Sequence, residues 1–150
     1  MISITNRQKK IALDLQALQH DAQRILALLK YPDFDLGILI TTNATIRNYN
    51  RDYRHKDKPT DILSFPAHPT LVAGKRIRVR TGEPRDVGDL IISAEYVVRA
   101  AEKLEVPFAA HMQALLVHGI CHLLGYDHIE DHDWRRMRAK EAYLLKKLRS

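Results

Sequence analysis

Three histidines carry the clearest chemistry in the chain. His118 and His122 are four residues apart, and His128 follows after Gly125. On a helix, residues at i and i+4 share a face, with Cβ atoms about 5–6 Å apart. Two imidazoles so placed can reach one metal ion through bonds of about 2.0–2.1 Å. Gly125 lies where a glycine can end the helix by taking φ > 0. The chain can then turn and carry His128 back toward the same ion. Three neutral nitrogens with one position left over describe a catalytic zinc site better than a structural one, in which protein ligands close all four positions. The expected load is one Zn2+ per chain.

The plainer reading of His118 and His122 is a pair of satisfied residues on an apolar helix. The third histidine weighs against it, because His-x3-His-x2-Gly-x2-His is the ligand spacing of the metzincin proteases. Position 119 is glycine, where those proteases carry the glutamate that acts as general base. The spacing of a metal cage is present and the protease base is missing. Asp127 adjoins the third histidine and is a candidate to orient an imidazole from behind. His111 lies about 10 Å along the helix axis from His118, too far to share an ion.

A second constellation is basic. Arg47, Arg51 and Arg54 recur at spacings of four and three, one stripe of a short helix, and His55, Lys56 and Lys58 follow. Arg47 and Lys56 read as a solvated face. Arg54 stands just before Lys58-Pro59-Thr60-Asp61, where the chain enters an apolar strand, and its guanidinium can grip a phosphate bidentately. Arg51 and Lys58 are further candidates for substrate contact.

These groups need elements to hold them. Alternation of Ile2 and Ile4 marks a strand within Met1–Gln8. Asp14–Lys30 is an amphipathic helix, with Leu15, Leu18, Ala22, Ile25 and Leu29 at spacings of three and four. Leu36–Thr41 is a buried strand, and Asn43 can cap a helix running to about Tyr53. Asp61–Phe65 is a strand stopped by Pro66. In the basic segment Ala67–Val87, Lys75–Arg80 alternates charge with β-branched residues, as an exposed or edge strand does. The segment is either an extra hairpin or a variable loop. Asp89–Ser93 is a core strand, and Ser93 can cap a helix to Leu104. Pro107 opens the histidine helix, which is apolar nearly all round to Leu124 and so should be buried. Asp131 can cap a last helix whose apolar face holds Trp134, Met137, Leu144, Leu145 and Leu148. The pattern predicts a single α+β domain over residues 1–150, one mixed sheet of about four to five strands packed with about five helices.

Composition narrows the partners. The net charge of +6 favours a polyanion such as nucleic acid. The single cysteine, Cys121, rules out an internal disulfide and suits a reducing cytoplasm. Met1–Lys10 holds no apolar run of signal-peptide length and no stretch approaches the apolar length of a membrane span, so no membrane partner is expected.

Three motifs together carry a family resemblance. Tyr53-Arg54-x-Lys56-Asp57-Lys58-Pro59-Thr60-Asp61-Ile62-Leu63-Ser64-Phe65-Pro66, then Gly88-Asp89-Leu90-Ile91-Ile92-Ser93, then His118 to His128, resemble the YbeY family of bacterial rRNA maturation factors, in the family's order. The resemblance implies a zinc-dependent endoribonuclease with a compact α+β fold. It implies zinc on His118, His122 and His128, and a role for Arg54 in activity or RNA binding. It further implies 16S rRNA 3′-end processing and ribosome quality control in the cytoplasm, with rRNA precursor and ribosomal particles as partners. Cys121 stands where the family usually has leucine. A thiolate there would compete for zinc, but a neighbour of His122 points about 100° away on a helix, so Cys121 should be core. Two alternatives stay open: an rRNA-binding assembly factor with a structural zinc, and a metalloprotease-like hydrolase.

Overall fold

Alternating Leu36, Ile38 and Ile40 build the centre of a four-stranded sheet. The computed structural model describes residues 1–150. Its elements run β1 (Ile2–Asn6), α1 (Leu15–Leu28), β2 (Asp35–Thr41), α2 (Asn43–Arg54), β3 (Ile62–Pro66), β4 (Asp86–Ser93), α3 (Ala94–Leu104), α4 (Phe108–Leu123) and α5 (Asp131–Leu148). The strand order is β1-β2-β4-β3. β1, β2 and β4 are parallel, and β3 pairs antiparallel with β4, Ile62 opposite Ile92 and Phe65 opposite Asp89. The fold is the expected α+β arrangement of one mixed sheet and five helices.

The two faces of the sheet differ. Leu36, Ile38, Ile40, Leu90 and Ile92 point into a main core of 29 buried residues shared with α1, α3, α4 and α5. The opposite face buries a cluster of only 3, Ile46 of α2 with Leu63 and Ile91. Four helices therefore pack on one side, and α2 alone covers part of the other. No single helix is long and apolar enough to cross a membrane.

Several boundaries move by one residue. Ser93 caps α3 as expected, its hydroxyl accepting from the Tyr96 amide. Thr42, not Asn43, caps α2, because the Asn43 amide donates instead to Glu95 Oε1 at 2.5 Å and its side chain accepts from Ser93. Glu130, not Asp131, occupies the cap position of α5. Asp131 and Asp133 sit in its first turn, where carboxylates favour the positive end of the helix dipole. Pro107 stands one residue outside α4.

Two expectations fail more substantially. Trp134 is 47% exposed rather than core, with the Arg138 guanidinium 4.9 Å above its ring. Lys75–Arg80 forms no strand. Side-chain contacts capture that segment before a ladder can: the Ile77 amide donates to the Tyr31 hydroxyl at 3.0 Å, and Arg76 donates to the carbonyls of Leu29 and Lys30 at the end of α1. Ile77 is buried, and Leu71, Ala73 and Val79 pack on the core. Ala67–Val87 is thus neither hairpin nor free loop. Up to Arg85 it is an irregular strap bound to the body, and Asp86 and Val87 already belong to β4.

Candidate functional site

α4 places His118 and His122 one turn apart on the face that leaves the core. Their Nε2 atoms are 3.1 Å apart and their ring centroids 4.5 Å. After Leu123 the chain reverses at Gly125, whose φ is +90°. A Cβ there would lie 2.3 Å from the Leu71 carbonyl oxygen, so the Ala67–Val87 strap presses directly on this turn and a side chain has no room. The turn brings the His128 ring to 5.4 Å from that of His122 and 6.2 Å from that of His118.

A fourth group joins from α5. Glu141 Oε2 lies 3.2 Å from Nδ1 of His118. In the tautomer whose Nδ1–H donates to Glu141, the inward Nε2 presents a lone pair, which is what a metal needs. Asp127, a candidate for this role by its place beside His128, is engaged elsewhere: its Oδ1 accepts from the Ile129 amide and closes a local turn. A legible signal existed. Met137, Leu144 and Leu148 are the buried stripe of α5, and Glu141 falls between them. A carboxylate on an apolar stripe calls for a partner.

Burial, first, and the neighbouring His118 and His128 push His122 down to about 4, while hydrogen bonding to the Tyr126 backbone and the charge of Glu141 oppose this. His122 is therefore neutral at physiological pH, the form that can ligate. Cys121 is fully buried, and burial pushes its thiol up to about 12, so it is a core residue as expected.

The spacing of His118 and His122 suits zinc. Two bonds of about 2.1 Å at tetrahedral angles separate ligand nitrogens by about 3.4 Å, close to the observed 3.1 Å. His128 is the exception. In this conformation no three His, Cys, Asp or Glu side chains are placed to ligate a single ion. His128 sits exposed on irregular chain beyond α4, outside the helix that fixes the other two rings.

The imidazoles open into a cleft of about 860 Å3 walled by Tyr53 and Arg54 from α2, Thr60–Pro66 along β3, Ala114 and Leu115 of α4, and Glu141. The arginine stripe divides here. Arg47 is held by Asp57 at 2.8 Å, with both groups exposed, and Arg51 by Asp52 at 3.0 Å. Arg54 has no ion pair or hydrogen bond and lines the cleft. Arg51 and Lys58 do not line it. The turn after α2 is set by His55 at φ +59° and by buried Asn50, whose Nδ2 donates to the Lys58 carbonyl at 2.8 Å.

Gly119 faces the sheet. A Cβ at this position would come within 2.7 Å of Ile62 and 2.9 Å of Leu90, and its carbonyl accepts from the Ser64 hydroxyl at 3.3 Å. A glutamate there would point into the core and not toward the histidines.

The family model for endoribonuclease YbeY matches residues 3–149. The chain belongs to this family. A Syntrophotalea carbinolica protein, Endoribonuclease YbeY, is 40% identical across 99% of this chain and 96% of its own length. The human protein of the same name is 32% identical across 97% of this chain and 86% of its own. A solution structure from Thermotoga maritima shares the fold, with a TM-score of 0.63 and 23% identity across 97% of this chain and 87% of that one.

Proposed function

We propose that this member of the YbeY family is a single-strand-specific, zinc-dependent endoribonuclease acting in 16S rRNA 3′-end maturation and ribosome quality control in the cytoplasm. The observation that carries the reading is Arg54: a guanidinium without a protein partner opens into the same cleft as the three imidazoles. His118, His122 and His128 would hold the zinc. When bound, zinc supplies Lewis acidity and makes hydroxide available near neutral pH.

The chain's own residues do the rest. Arg54 donates two parallel N–H groups to a phosphate and offsets charge developing on it during cleavage. Glu141 holds His118 with Nε2 inward. Ala114 and Leu115 give the cleft an apolar wall, which strengthens both interactions. The core-facing Gly119 argues against a metzincin-type protease.

The test uses purified chain with single-stranded RNA, duplex RNA and casein, alongside a folded His118→Ala variant. Cleavage of single strands that is abolished in His118→Ala and by chelator is expected. Cleavage of casein but not RNA would overturn the nuclease reading. Tight binding of rRNA without cleavage, unchanged in His118→Ala, would make the chain an assembly factor with a structural metal.

A further inference from the structure

We propose that Tyr53 is a base-stacking platform at the wall of the cleft, working beside Arg54 on a single nucleotide; the inference rests on the ribonuclease reading above. Tyr53 is 66% exposed. The two exposed aromatics of α5 have cations over their rings: Arg138 lies 4.9 Å from Trp134, and Lys140 and Lys147 lie 5.6 and 5.9 Å from Tyr143. Tyr53 has none. It is instead braced by other aromatics. Tyr49 lies nearly parallel to it, at 6.3 Å and 14°, and Phe65 of β3 meets it edge-on at 5.2 Å and 75°.

An exposed ring held in place by two others loses little freedom when a planar ligand lands on it. Every nucleobase has such a face, so stacking is strong and tolerant of sequence. Arg54, the next residue, supplies free donors for a phosphate. The two groups together match the two halves of a nucleotide. Bases in a duplex have both faces occupied by their neighbours, so the platform accepts only an unstacked base. It therefore gives this chain a physical basis for choosing single strands.

The experiment measures binding of the full chain to a single-stranded RNA oligonucleotide and to an abasic ribose-phosphate oligomer of equal length and charge. Wild type should prefer the base-bearing strand. Tyr53→Ala should bind that strand about tenfold more weakly and bind the abasic oligomer as wild type does, which also reports an intact fold and an intact Arg54. Tyr53→Phe should restore the preference, because the ring and not the hydroxyl stacks. Equal weakening of both oligomers by Tyr53→Ala, or no weakening of either, overturns the platform and leaves the ribonuclease reading standing. So does a wild type that binds the two oligomers equally. A wild type that binds neither overturns both.

Discussion

Glu141 Oε2 on α5 lies 3.2 Å from His118 Nδ1 on α4, across 23 residues of sequence. This contact ties the last helix to the candidate metal centre and fixes which nitrogen of His118 faces inward. Partners of this kind change metal affinity by about 10–100-fold. Glu141→Ala should weaken zinc binding within that range, measured by competition with a chromophoric chelator. Glu141→Gln should be milder, since its amide oxygen still accepts the Nδ1 proton. An affinity unchanged in Glu141→Ala would reduce the contact to a helix–helix hydrogen bond with no bearing on the metal.

Loss of a ligand should reach stability as well as chemistry. A metal at 100 times its Kd stabilises the native state by about 2.7 kcal/mol when it binds only that state. Wild type purified without a histidine tag should carry about one zinc per chain. His122→Ala should lose it and melt lower in metal-replete buffer. Chelator should then bring the two melting temperatures closer together. Identical melting in both buffers would mean that the ion contributes nothing to the fold.

Arg54 should behave unlike other surface cations. Each phosphate neutralised on a single strand contributes about −0.7 to the log–log salt slope of binding. Arg54→Glu should weaken RNA binding and flatten that slope while zinc content stays constant. Arg54→Lys should restore binding only in part, because an ammonium cannot form the bidentate grip. Arg99→Glu on α3 makes the same charge change at an exposed site outside the cleft. Equal effects of Arg54→Glu and Arg99→Glu would leave Arg54 as general basic surface.

Gly119 tests why the protease glutamate is absent. Gly119→Ala gains about 1 kcal/mol of helix propensity. It also pushes a methyl group against Ile62 and Leu90 side-chain ends, with an overpacking cost of about 1–3 kcal/mol. The net expectation is a loss of about 1 kcal/mol in denaturant unfolding, with zinc retained. Gly119→Glu should fail to fold stably and should not acquire casein cleavage. A stable, proteolytic Gly119→Glu would show that position 119 reaches the cleft after all.

What the sequence determined by itself was local. The spacing of His118, His122, Gly125 and His128 is read within one helix and one turn, and helix period alone puts two of the rings together. Ser93 announces the start of α3 because a cap bonds within its own turn, and Leu36, Ile38 and Ile40 announce a strand by alternation. Packing between distant elements decided the rest. Arg47, Arg51 and Arg54 are equivalent on a helical wheel, and only the folded chain supplies Asp57 and Asp52 to two of them and the cleft to the third. Lys75–Arg80 alternates like a strand but finds Tyr31 and the end of α1 before it finds a ladder. Glu141 needed α5 laid across α4. Periodicity tells which face a side chain occupies. Which side chain meets it across the interface depends on how whole elements pack, and no short window of residues contains that.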